Sequence, residues 1–125
     1  MKMFINGEWI DRDQKIEVLN PFDGSLIDTV PKATSEDVEA AIAGAVRGAE
    51  IMRNLPAYER FKILRRAADL MVERQADLGR TISLEEGKIL GEGVFAGSRS
   101  ATTIEVSGEE AKRLTGEVLP LDGAP

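Results

Sequence analysis

The stretch from Leu55 to Leu78, LPAYERFKILRRAADLMVERQADL, constrains this chain more than any other. It opens with Pro56, and proline in the first helical turn forfeits no hydrogen bond. Successive residues of a helix stand about 100° apart, which places Ala57, Phe61, Leu64, Ala68, Met71 and Val72 on one face. Ile63, Ala67 and Leu70 widen that apolar arc to roughly 200°, twice the stripe a surface helix needs. Glu59, Lys62, Arg65, Arg66, Asp69 and Glu73 fill the other side. Such a helix packs against more than one neighbour, and it asks for more protein than 125 residues easily supply.

Composition narrows the function classes. The net charge of −6 offers no basic excess to displace counterions, so nonspecific nucleic-acid binding is not expected. There is no cysteine and no histidine. The chain therefore has no thiol nucleophile, no disulfide framework and neither of the commonest zinc ligands. No run approaches the ~20 apolar residues of a membrane span. The start, MKMFINGEWI, lacks the apolar core of a signal peptide, and the expected place is the cytoplasm.

Read in order, Met3–Ile5 and Glu8–Ile10 flank Asn6-Gly7, the strongest short signal for a two-residue hairpin. Ile16–Leu19 and Ser25–Val30 read as short strands on either side of the turn residues Asn20-Pro21-Phe22-Asp23-Gly24. Thr34 or Ser35 caps a helix over 35–52, with Glu36, Asp37 and Glu39 near its positive end. Val38, Ala41, Ile42, Ala45, Ala49 and Met52 recur at helical spacing there. Gly44 and Gly48 sit four apart, marking either a close contact or a weakly selected surface. The helical pattern slips around Arg74–Ala76, and a third helix runs to Glu86 with Gly87 suited to its C-cap. A fourth helix spans Ile89–Leu114, ends at Gly116 and has Lys112 and Arg113 in its last turn. Its glycines at 91, 93, 97 and 108 weaken it by roughly 4 kcal/mol against alanine, so tertiary packing must hold it.

Three features invite a chemical reading. Gly91-Glu92-Gly93-Val94-Phe95-Ala96-Gly97 has the spacing of a dinucleotide-binding loop, but that loop works only between a strand and the start of a helix. Only Ile89-Leu90 separates it from Glu85-Glu86-Gly87-Lys88, too little for a buried strand. Gly87-Lys88 lacks the following Ser or Thr of a phosphate loop. Arg60 falls inside the apolar arc of the long helix, and Glu85 falls in line with Leu78 and Ile82. Buried charges are normally paired, so an Arg60–Glu85 bridge is the economical expectation. Otherwise Arg60 lays its stem along the core and its head in water. No catalytic set accompanies either residue.

FINGEW, VLNPFDGSLIDTVPKATSEDVEAAI, LPAYERFKILRRAADLMVER, EEGK and the closing TGEVLPLDGAP together resemble the N-terminal segment of the aldehyde dehydrogenase superfamily. The resemblance runs over essentially the whole chain. It is firmest at Asn20-Pro21 with Gly24, Glu59-Arg60, Ala68-Asp69-Leu70 and Gly87-Lys88. Asn54–Arg60 and Leu119–Asp122 are most similar to the lactaldehyde and non-phosphorylating glyceraldehyde-3-phosphate branch. Ala96, where the family more often has glutamate, and the glycine-rich fourth helix depart from the pattern.

The resemblance implies oxidation of an aldehyde to a carboxylate with NAD or NADP, through a cysteine thiohemiacetal and thioester. The cysteine, the glutamate that activates water, the oxyanion asparagine and the cofactor sheet all fall beyond Pro125 in the family. It also implies a monovalent-cation role for a carbonyl near Val18 and the carboxylate of Glu85.

The expected fold is mainly α with a small antiparallel β-hairpin, a truncated N-terminal part of an α/β aldehyde dehydrogenase. Residues 1–125 form a single segment: hairpin and extended strands over 1–30, four helices over 35–114 and an extended tail over 115–125. No catalytic, cofactor-binding or metal residue is assigned within it. The chain alone is expected to be inactive and to bind no cofactor. Its expected partners are the remainder of the polypeptide and further copies of itself. Copies would meet through exposed apolar helix faces, with Phe61, Leu64, Met71 or Ile42 near the contact. The alternative is a non-enzymatic helical interaction module derived from the same segment.

Overall fold

The computed structural model describes residues 1–123. Strands β1 (Met3–Ile5) and β2 (Glu8–Ile10) pair antiparallel, with Phe4 opposite Trp9. The turn takes left-handed backbone at both central residues, Asn6 at φ 53° and Gly7 at φ 88°, as a type I′ hairpin demands. Phe4 and Trp9 stack at 5.0 Å on an otherwise exposed face.

The sequence reading expected one hairpin followed by loose strands; the structure has two hairpins. Strand β3 (Lys15–Leu19) pairs antiparallel with β4 (Leu26–Pro31), with a bulge at Val18/Leu19. Side-chain turn chemistry closes the second one. Asn20 Oδ1 accepts from the Phe22 amide and Asp23 Oδ1 from the Ser25 amide, each at 3.0 Å. These bonds let a six-residue turn reverse the chain.

Helix α1 (Ser35–Asn54) starts at a reciprocal cap: the Asp37 amide donates to Thr34 Oγ1 and the Thr34 amide to Asp37 Oδ2. Of the two glycines weighed in this helix, Gly44 is a close contact and Gly48 is not. A Cβ on Gly44 would stand 1.6 Å from Asn6 Oδ1, whereas Gly48 has nothing within 4 Å. Asn6 Nδ2 donates to the Ala40 carbonyl at 3.0 Å, so the first hairpin's turn is seated on α1.

The organising helix is shorter than its pattern. Helix α2 covers Ala57–Glu73, Arg74 leaves helical geometry at φ −104° and ψ 16°, and α3 covers Gln75–Glu86. Leu55 and Pro56 form the turn before α2, and Gln75–Leu78 begin the next helix. Gly87 ends α3 in the left-handed region, at φ 69°, with Pro21 of the second hairpin packed on it.

Helix α4 (Leu90–Ala111) runs back along both α2 and α3. It stops at Ala111, short of the expected Leu114, and Lys112 is its cap, with its ammonium over the Phe61 ring at 3.8 Å.

Small residues make the crossing of these helices. Ala68 and Ala101 are the buried apolar residues, joined by the buried glycines 79, 93, 97 and 108. Arg65 Nη1 adds an ion pair to Glu105 Oε1 at 2.6 Å across α2 and α4. Among the described residues no large side chain is fully buried. The chain exposes 9753 Å², whereas a folded monomer of its 13.6 kDa exposes about 6,600 Å². The excess is on the order of 3,000 Å². Among the described residues, no helix is long and apolar enough to cross a membrane.

Candidate interaction surface

The glycine-rich stretch is a packing device. Gly91–Gly97 lies inside α4, and Gly93 and Gly97 turn toward α3. A Cβ on Gly93 would come within 2.4 Å of the Gly79 carbonyl oxygen, and one on Gly79 within 2.6 Å of the Val94 Cα. From Glu92 onward the amides of this stretch are committed to carbonyls of the helix and its cap, and α3 fills the face of Gly93 and Gly97. The Gly91–Gly97 stretch therefore does not have the strand-to-helix setting of a dinucleotide loop.

The expected Arg60–Glu85 bridge does not form. Arg60 is half-buried and donates Nη1 to the Leu55 carbonyl at 2.5 Å, while Glu85 is exposed. The two lie at opposite ends of α4: Phe61 packs by Gly108, whereas Ser83 packs by Gly93. Those glycines are about 22 Å apart along the helix. What claims Arg60 is an orphan carbonyl at the end of α1, a group every helix terminus leaves free. That partner belongs to the backbone, so no pattern of charged side chains revealed it. Arg60→Ala should cost about 1 kcal/mol in urea unfolding, well short of a stranded buried charge, and Arg66→Ala should leave the midpoint unchanged.

Glu85 stands at the end of α3, where Pro21 brings the second hairpin's turn to Gly87. Among the described residues, no cluster of three or more metal-ligating side chains forms. The cation role of Glu85 with the Val18 carbonyl stays an implication of resemblance.

The one buried charge among the described residues was read from sequence only as a helix-end carboxylate. Asp37 is 4% exposed, and Arg12 grips it from the link between the hairpins, with Nε at 3.0 Å and Nη2 at 2.5 Å. This forked bond, aided by the Thr34 amide, holds the Asp37 carboxyl below its ordinary value and raises the Arg12 guanidinium. The sequence offered Thr34 or Ser35 as the cap, and the structure takes Thr34. Nothing local signalled an arginine twenty-five residues upstream.

Uncovered apolar surface includes two stretches of helix. The first is an open groove of about 470 Å³ where α1 ends beside α2 and α4, lined chiefly by Met52, Ile63, Leu64, Ala111 and Leu114. Arg60 and Glu110 stand at its polar edge. The second is the side of α1 turned away from the hairpin, where Val38, Ile42 and Val46 are 49%, 53% and 67% exposed. Phe61, Leu64 and Met71, expected at a contact, are half-covered within the chain, and Ile42 is open.

Comparison with known proteins gives these surfaces a context. A profile described as the aldehyde dehydrogenase family matches residues 9–124. The 3-sulfolactaldehyde dehydrogenase of Priestia aryabhattai is 37% identical over 98% of this chain and 25% of its own length. An NADP(+) succinate-semialdehyde dehydrogenase of Escherichia coli is 42% identical over 93% of this chain and 24% of its own. A solved structure, aldehyde dehydrogenase 21 of Physcomitrella patens with the reaction product succinate, superposes with a TM-score of 0.93. It is 30% identical over 98% of this chain and 26% of its own. The chain thus spans about a quarter of the length of the relatives it matches, their N-terminal quarter. With its mainly helical fold and two small hairpins matching that quarter, the chain belongs to the aldehyde dehydrogenase family.

Proposed function

We propose that this segment serves a polypeptide that oxidises an aldehyde to a carboxylate with NAD(P)+, and that it contributes structure rather than chemistry. The observation that carries the reading is the family match over residues 9–124, in a chain with no cysteine and no histidine. Oxidation of an aldehyde through a covalent adduct needs a nucleophile, and hydrolysis of the acyl intermediate so formed needs a general base. We assign both to residues outside the segment. The groove between α1, α2 and α4 is the surface on which the remaining polypeptide packs.

Several of the relatives support a reading of the substrate class. Sulfolactaldehyde and succinate semialdehyde each carry an acid group far from the aldehyde, and the product held by the moss enzyme is a dicarboxylate. We infer an aldehyde with an anionic far end. A polypeptide carrying this segment and its continuation should oxidise succinate semialdehyde with a kcat/KM at least about tenfold above that for butanal, one charge contact's worth. Equal values would remove the anionic specificity, and no oxidation of any aldehyde would remove the enzymatic reading. The 125-residue chain alone, titrated with NAD+ and with NADP+ in a calorimeter, should give no heat of specific binding. Micromolar affinity for either would show that a cofactor site lies within it.

A further inference from the structure

The Asn6-Gly7 turn is a reactive pair as well as a fold signal. An asparagine amide followed by glycine can close into a ring, because no Cβ shields the glycine nitrogen. The Gly7 amide takes no part in the hairpin ladder, since Ile5 faces Glu8 directly across the turn. Among the described residues, no backbone hydrogen bond of a turn or loop uses it.

The contacts of Asn6 on α1 oppose that closure. Its Nδ2 donates to the Ala40 carbonyl at 3.0 Å, and its Oδ1 lies against Gly44, where any Cβ would stand. Both partners of this contact belong to the chain itself. The atom that must leave when the ring closes is the one that seats the hairpin.

We propose that Asn6 is a site of spontaneous modification, restrained while it is seated on α1, and that the product cannot regain the seat. When the turn lifts off, the Gly7 nitrogen gives its proton to hydroxide and attacks Asn6 Cγ. A bond forms between them, the Cγ–Nδ2 bond breaks, and Nδ2 departs as ammonia. Water then opens the cyclic imide at either carbonyl. One opening leaves aspartate; the other leaves isoaspartate, whose main chain runs through Cγ. Water is the only co-reactant, and nothing is oxidised or reduced. Either product has a carboxylate in place of the amide donor, and the Ala40 carbonyl accepts nothing from it. Isoaspartate also adds a methylene to a two-residue turn whose length fixes the register of Phe4 against Trp9.

The test follows the tryptic peptide Met3–Arg12 by mass spectrometry while the folded chain stands at mildly alkaline pH. Enzymatic methylation scores isoaspartate. Conversion should be slower in the folded chain than in urea. Gly44→Ala sets its Cβ on Asn6 Oδ1, the end of a side chain, so Asn6 swings away and α1 stays intact. It should react about fivefold faster than the parent, the factor that one hydrogen bond of ordinary net worth carries. Gly48→Ala, with nothing within 4 Å, should react at the parent rate. Asn6→Asp, the product with an unaltered main chain, should release the hairpin at lower urea by Trp9 fluorescence. A folded chain that reacts as fast as the unfolded one, or equal rates for parent and Gly44→Ala, overturns the protective seat. Aspartate formed without isoaspartate overturns the cyclisation. No conversion of Gly44→Ala while the urea-unfolded chain converts overturns the site itself. An unchanged Trp9 transition in Asn6→Asp overturns the release.

Discussion

Gly93→Ala should destabilise the helical layer by about 2 kcal/mol, although the same exchange in an open helix stabilises it by about 1. The added Cβ would lie 2.4 Å from the Gly79 carbonyl oxygen and 3.3 Å from the Ser83 amide. Both obstacles are backbone, so no side chain can swing aside, and α3 and α4 must separate by about 1 Å to restore van der Waals contact. The crossing has little to lose, since its buried apolar residues are the alanines 68 and 101. Separation there also loosens Gly97, whose neighbours are Leu78 and the Gln75 carbonyl. Gly48→Ala is the matched control: it lies inside α1 with nothing within 4 Å. Its gain should appear as higher helicity of α1. Urea unfolding followed by circular dichroism gives both signs. A gain in stability for both variants would mean that α3 and α4 are not in close contact at Gly93.

This pair also shows what could be read from the sequence. Four glycines in one helix announced that packing must hold it, and the spacing of 93 and 97 even suggested a ligand loop. Only the position of α3 decides that these glycines admit a helix backbone and no phosphate. Features written in adjacent residues were legible: the Asn6-Gly7 turn, the Thr34 cap, the slip near Arg74 and the left-handed end at Gly87. The end of α4 was not. Neither was the partner of Arg60, because a backbone carbonyl leaves no mark in sequence. The wide apolar arc of α2 is only partly covered within the chain. Ile63 and Val72 on that arc remain 52% and 61% exposed.

Asp37 should prove the residue on which the attachment of the first hairpin depends. It accepts two bonds from Arg12 and one from the Thr34 amide, and it closes the cap of α1. Thr34→Ala removes the hydroxyl side of that cap and should cost about 1 kcal/mol. Asp37→Ala removes the carboxylate side and also strands Arg12, so its loss should be the larger of the two. Asp37→Asn keeps the shape and isolates the charge. The sign of the pH dependence follows from the Arg12 bond, which holds the folded carboxyl below its ordinary value. In the interval between the two values the unfolded chain binds a proton that the folded chain does not, so stability rises with pH there. The contribution of Asp37 is therefore complete above about pH 4, the usual aspartate value, and fades as the pH falls through the lowered one. Glu36, beside it and also held low, and Asp11, Asp23 and Asp28 add acid sensitivity of the same sign. The difference between parent and Asp37→Asn separates one carboxylate from the rest. Trp9, the single tryptophan, sits in β2 against Phe4 and reports the hairpin directly. Urea titrations of its fluorescence from pH 2 to 6 should show the parent losing stability more steeply in acid than Asp37→Asn, with the two curves converging at the low end. Parallel curves across the whole range would mean that the Arg12–Asp37 pair does not hold the hairpin to α1.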